Sequence, residues 1–213
     1  IVFGDWSSDV CSSDLHPLVR YLHLWLGDAA NNQCECELCR DTRPADLYVK
    51  LLNEVDARLT AEGIDAQVVF LVYFDLYWPP QRERLANPDR FVLMFAPITR
   101  SYSATFATRE PLPELPPYVR NRITLPKSVA QNLAHLRAWQ ERFAGDSFDF
   151  DYHLIWDHYA DPGYMQISRG LHADIAALRD IGLDGYVSCQ VQRAFFPTGL
   201  AMTVLGRTLW NRD

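Results

Sequence analysis

The 213-residue chain contains no run of Lys or Arg and no basic stripe, so it lacks the electrostatic footprint of a nucleic-acid binder. No apolar run approaches the roughly 20 residues that a membrane-spanning helix needs. No glycine-rich loop follows any of the apolar strand candidates, which removes the phosphate cradle expected of a doubly wound nucleotide-binding sheet. Cysteine is scarce. Three of the five cysteines fall in one short stretch, without the second knuckle that usually completes a zinc module. What is left is a mildly acidic, aromatic-rich chain, long enough for one good core.

The first fifteen residues read differently from the rest. Eleven consecutive residues, Asp5 to Leu15 (DWSSDVCSSDL), match an in-frame translation of the common short-read library adapter. The segment is therefore expected to be an artefact without structure and is set aside as a fusion scar would be. Its removal takes away three Asp and no Lys or Arg, moving the formal charge from −7 to −4, and takes Cys11 out of the cysteine count. The natural sequence is then expected to start at His16, inside a longer chain whose N-terminal part is missing.

From there apolar runs alternate with helix-period segments. Strands are expected over Arg20–Gly27, Ala66–Phe74, Arg90–Pro97, Phe148–Trp156 and Asp184–Val191. Ala66–Phe74 is nearly continuous in apolar character, as a strand covered on both faces requires. Helices are expected over Ala45–Glu62, with Leu47, Leu51, Val55 and Leu59 at four-residue spacing, and over Lys127–Ala144, with Val129, Leu133, Leu136 and Phe143 on one face. Two more are expected over Gln166–Ile181 and Gly199–Asn211. Gly63 and Gly182 read as helix stops. The proline-rich stretch Arg109–Pro126 must be irregular. The order predicts an α/β fold with a parallel sheet. About five β/α units in residues 16–213 fit the C-terminal part of a (β/α)8 TIM-type barrel, incomplete, with an intact doubly wound sheet as the alternative.

In such folds chemistry gathers at the C-terminal ends of the strands. Asp28, Asp75 and Asp157 each follow an apolar run there and are candidate catalytic acids or bases, although Asp is also a common cap and loop starter. Aromatic residues crowd the same ends, and Tyr77 and Trp78, beside Pro79 and Pro80, are the candidates to stack on sugar rings. His153 shares a strand face with Asp157 and would tune it from inside the barrel mouth, or serve as a structural histidine. Arg100 and Arg193 would hold ligand carboxylates or hydroxyls, or pair with neighbouring acids. Cys34, Cys36 and Cys39 (CECELC) would supply three zinc ligands, with a fourth from elsewhere, or be structural cysteines, reduced or disulfide-linked.

These features carry a resemblance. The run Leu22–Asp28 (LHLWLGD), then CECELC, then Pro44-Ala45-Asp46 opening a helix with Leu52-Asn53-Glu54, then the apolar strand leading to Tyr77-Trp78-Pro79-Pro80, resembles the family known as domain of unknown function 4838. Gly182–Gln190 (GLDGYVSCQ) and a helix ending in Leu209-Trp210 are similar to that family's last barrel strand and helix. The resemblance covers most of residues 16–213. It implies a (β/α)8 barrel related to the β-hexosaminidase and α-glucuronidase barrels, and thus a glycoside hydrolase-like fragment acting on a polysaccharide or glycan. No cofactor is required by that chemistry. A secreted or periplasmic setting is the accompanying expectation. The chain departs from the hexosaminidases in having a single Asp28 followed by Ala29 where they carry an acidic pair. A carbohydrate-binding barrel without catalysis is the alternative, since hydrolysis requires two carboxyl groups about 5 to 9.5 Å apart.

Overall fold

A computed structural model describes residues 19–156, 160–191 and 194–211. The adapter-like residues 1–15 and the candidates Asp157 and Arg193 lie outside the described residues. The strands are β1 (Tyr21–Leu24), β2 (Gln67–Val72), β3 (Phe91–Phe95), β4 (Ser147–Leu154) and β5 (Gly185–Gln190), and the helices are α1 (Pro44–Ala61), α2 (Val129–Gln140), α3 (Met165–Ala177) and α4 (Leu200–Trp210). The five strands lie in chain order in a single sheet. The fold is therefore α/β with a parallel sheet. Where β2 meets β3 no α-helix intervenes, and the chain makes 3-10 turns at Phe74–Tyr77 and Pro88–Arg90 instead.

Both expected glycine stops are present. Gly63 and Gly182 take φ of 70° and 76°, a region that costs any residue with a Cβ. After each, the chain folds back on the helix end: Ile64 N–H donates to Leu59 O at 2.9 Å and Leu183 N–H to Leu178 O at 2.9 Å. This is the left-handed C-terminal cap that satisfies orphan carbonyls. Residues 109–126 contain no helix or strand, as the prolines require.

One helix face differs from expectation. In α1 the buried stripe is Ala45, Tyr48, Val49, Leu52 and Asp56, while Leu47 is 42% exposed. A strict four-residue repeat drifts by about 40° per step around a helix of 3.6 residues per turn, so Leu47, Leu51, Val55 and Leu59 cannot all face one layer. Tyr48 and Asp56 take the inner positions because their polar tips find partners there. The Tyr48 hydroxyl donates to Leu24 O and accepts from Leu71 N–H, and Asp56 accepts from Arg90 Nε at 2.9 Å.

The chain forms two compact units. The first takes the described residues up to Met94 with Tyr118–Ile123 and Ala138–Asp146. Here β1 and β2 pair in parallel, Leu24 beside Phe70. Phe70 is ringed by Phe143, Trp139 and Phe91, with centroids 5.1, 5.6 and 6.3 Å away. The Trp139 indole N–H donates to Leu76 O at 2.7 Å and so ties the segment after β2 to that core. The second unit holds Phe95–Pro117, Thr124–Arg137 and the described residues from Ser147. In it β4 and β5 pair in parallel, with Asp149 beside Tyr186 and Asp151 beside Ser188. Leu154, Leu171, Ile175, Leu183 and Ala201 form its core.

Candidate functional site

Tyr48 bridges the C-terminal ends of β1 and β2, since Leu24 and Leu71 sit at or next to the last residues of those strands. Beyond these ends the first unit holds a pocket of about 320 Å³ whose lining includes Asp28, Asn32, Gln33, Tyr73, Phe74 and Asp75. That volume lies at the low end for small-ligand sites. Thus two of the three carboxylates expected at strand ends come together. Asp28 is exposed. Asp75 is only 3% exposed: its Oδ2 accepts the Asn31 N–H at 3.1 Å, and its Oδ1 is buried without a hydrogen-bond partner among the described residues. Burial raises the Asp75 carboxyl above its ordinary value, and the Asn31 N–H, the Gln33 side chain and the charge of Arg120 only partly offset this.

The pocket wall is built from unusual backbone. Phe74 has φ of +47° and Asn31 of +60°. Asn tolerates the left-handed region through local hydrogen bonding, but a phenylalanine there is an outlier of the kind that collects at functional sites. Here the Tyr73 and Phe74 rings stack, with centroids 3.8 Å apart, and Asp75 follows, bonded to Asn31 in the loop after β1. Both rings remain half-exposed.

The loop that follows Asp28 is held by residues that carry no periodic signal. The Arg120 guanidinium donates to the carbonyls of Cys34 at 2.9 Å, Cys39 at 2.6 Å, Arg40 at 3.2 Å and Thr42. Asn121 exchanges hydrogen bonds with Gln33, accepting its N–H at 2.7 Å and donating to its carbonyl at 2.8 Å. Asn31 in turn bonds Ile123 through both ends of its amide. Within that frame the Sγ atoms of Cys34, Cys36 and Cys39 lie within 4.8 Å of one another. Hydrogen bonds from Cys34 and Cys39 bring the Cys36 thiol down to about 7.

The remaining candidates sit elsewhere. Tyr77 and Trp78 are 0% and 2% exposed, so they do not line the pocket; Trp78 packs edge-on against Tyr118 at 5.7 Å. His153 is fully buried and faces α3, where a Cβ on Gly170 would come within 3.4 Å of its Nε2. It does not point into an open mouth. Its Nδ1 lies 2.5 Å from Asp151 Oδ1, and its Nε2 3.1 Å from Asp174 Oδ2 without hydrogen-bond alignment. Arg100 is buried as well, donating to Asp151 at 3.2 Å and Asp174 at 2.5 Å. It meets acids of its own chain, the second of the two readings its sequence position allowed.

Asp151, His153, Asp174 and Arg100 thus form a sealed cluster, joined by the Tyr186 hydroxyl on Asp151 at 2.9 Å and the Phe106 N–H on Asp174 at 2.5 Å. Asp149, Asp151 and Asp174 were not singled out as candidates. Alternation along Phe148–Leu154 (FDFDYHL) was the available signal, because it puts Asp149, Asp151 and His153 on one face. Comparisons with protein families, curated proteins and solved structures return no match to this chain.

Proposed function

We propose that the chain is part of a glycan-directed (β/α)8 barrel of the domain-of-unknown-function-4838 kind, with the pocket beyond β1 and β2 as its sugar site. One observation carries this reading: two carboxylates in contrasting environments share a pocket with half-exposed aromatic rings. A buried carboxyl raised above its ordinary value keeps its proton to higher pH, as a general acid must. Asp75 is assigned that role. Asp28, exposed at the same pocket, is the partner that would act as base or nucleophile, the division of labour used in glycoside hydrolysis. Tyr73 and Phe74 offer flat apolar faces for a sugar ring, taking the part that Tyr77 and Trp78 were expected to play.

The test is turnover of a panel of aryl glycosides and oligosaccharides by wild type, Asp75→Asn and Asp28→Asn. Loss of the general acid is expected to lower kcat on unactivated substrates by roughly 10²- to 10⁴-fold. Equal turnover by wild type and both variants would sink the assignment. Glycan binding by wild type without turnover, weakened in Asp28→Asn, would replace it with the carbohydrate-binding reading.

A further inference from the structure

The loop between Asp28 and α1 holds its chemistry on the outside. Cysteines retained for packing are buried, yet Cys34 and Cys36 are exposed and Cys39 is half-buried. Their three sulfurs nevertheless converge. This convergence does not come from a disulfide, since all are free thiols. It comes from main-chain geometry: Cys36 O accepts the N–H groups of Cys39 at 3.0 Å and Arg40 at 2.9 Å, while Arg120 gathers the carbonyls of Cys34, Cys39, Arg40 and Thr42 from outside the loop. Every backbone group in this list is oriented by another backbone or guanidinium group. The thiols take no part in that frame, and their sulfurs lie within 4.8 Å of one another.

We infer that Cys34, Cys36 and Cys39 form a three-thiolate site for a single thiophilic divalent cation, zinc being the natural occupant. Sulfur donors favour zinc and similar metals over magnesium or calcium, which require oxygen. Bonds of about 2.3 Å to a tetrahedral ion put thiolate sulfurs about 3.8 Å apart, so the group needs only side-chain rotation to close. Binding releases one proton to solvent from each thiol that enters as thiolate. With three protein ligands the fourth position is left to water, and among the described residues no further His, Cys, Asp or Glu joins the group. The site would brace the loop whose start, Asn31 to Gln33, holds Asp75 and lines the pocket. The inference does not depend on the glycan reading.

The experiment uses the whole chain, reduced and loaded anaerobically with zinc or cobalt(II). About one ion per chain is expected, with the intense near-ultraviolet thiolate-to-cobalt band and the visible bands of a tetrahedral site. Zinc should shield three thiols from alkylation, read by mass spectrometry on the unmodified chain. Cys36→Ser should lose stoichiometric binding. Cys11→Ser with Cys189→Ser should keep it. Failure of the wild type to bind, full binding by Cys36→Ser, or a Cys36–Cys39 disulfide that persists under mild reduction would each overturn the site.

Discussion

Asp75 in the first unit and Asp151 in the second are both buried carboxylates near strand ends, but their surroundings are opposite. Asp75 accepts the Asn31 N–H, has the Gln33 side chain beside it, and keeps one oxygen without a hydrogen-bond partner among the described residues, at the wall of a pocket. Asp151 receives the Arg100 guanidinium, both the ring and the backbone N–H of His153, and the Tyr186 hydroxyl. A carboxylate saturated with donors has nothing left for a ligand, whereas an unsaturated one does. Asp149 is the instructive intermediate, with neither oxygen hydrogen-bonded among the described residues. Burial, and then the neighbouring Asp151, push it well above its ordinary value. Lack of partners marks a site only where solvent or ligand can arrive.

The comparison breaks first if the sealed cluster is expendable. Among the described residues Arg100 is the cation on both Asp151 and Asp174 that does not depend on a proton in the neutral range; burial works against its charge, and Asp174 and Asp151 more than compensate. It also lies 4.2 and 4.3 Å over the rings of Phe106 and Tyr102. Arg100→Met keeps much of the volume but strands two carboxylates, and should destabilise the chain by about 3 to 5 kcal/mol in urea unfolding. A loss below about 1 kcal/mol would show that the cluster is not what holds the second unit.

A smaller effect should appear with pH. Burial opposes the charged form of His153, but Asp151 and then Asp174 raise it to about 9, against an ordinary value of 6.5. A group raised on folding contributes stability that is complete below its unfolded value and lost as pH climbs through its folded one. Stability should therefore fall between about pH 6.5 and 9, by at most about 3 kcal/mol. Burial likewise opposes the charge of Asp151, yet His153 and Arg100 hold it down at about 2. Its contribution is present above the ordinary carboxylate range and fades as pH falls toward 2. The midpoints of urea unfolding across pH 5 to 9 should slope downward in wild type and flatten in His153→Gln. A flat wild-type profile would mean His153 is neutral in its pairing.

The order of elements and their stops were legible because apolar periodicity and two glycines carry them without help from distant residues. The strand-end rule singled out Asp28 and Asp75, and both line the pocket. Tyr77 and Trp78 are buried instead of lining the pocket, because proline beside an aromatic says nothing about which layer the ring enters. The left-handed Phe74 was invisible, since phenylalanine gives no cue for that backbone region. Arg120 and Asn121 were equally hidden in a proline-rich segment with no period, their partners some 80 or more residues earlier in the chain. For His153 the sequence left open a structural role or a place beside Asp157, which lies outside the described residues; that its face meets α3 depended on Asp174 and Gly170, positions that only packing reveals.

The sharpest form of the comparison is one substitution made in two places. Asp151→Asn removes the charge opposite Arg100 and should be severe, close to the loss expected for Arg100→Met. Asp75→Asn should be mild, within about 1 kcal/mol of wild type at neutral pH. The new amide oxygen still accepts the Asn31 N–H, and only the unpartnered oxygen becomes an NH₂. Burial sets the sign: a carboxyl raised on folding loses stability as pH rises above its ordinary value, and Asn removes that loss. Asp75→Asn should therefore be neutral or slightly stabilising above about pH 5, with the gain vanishing at pH 3. If the two Asn variants destabilised equally, Asp75 would be a structural acid like Asp151. A stable Asp75→Asn that loses activity on glycans would instead place the cost of burying that carboxyl in the function of the pocket.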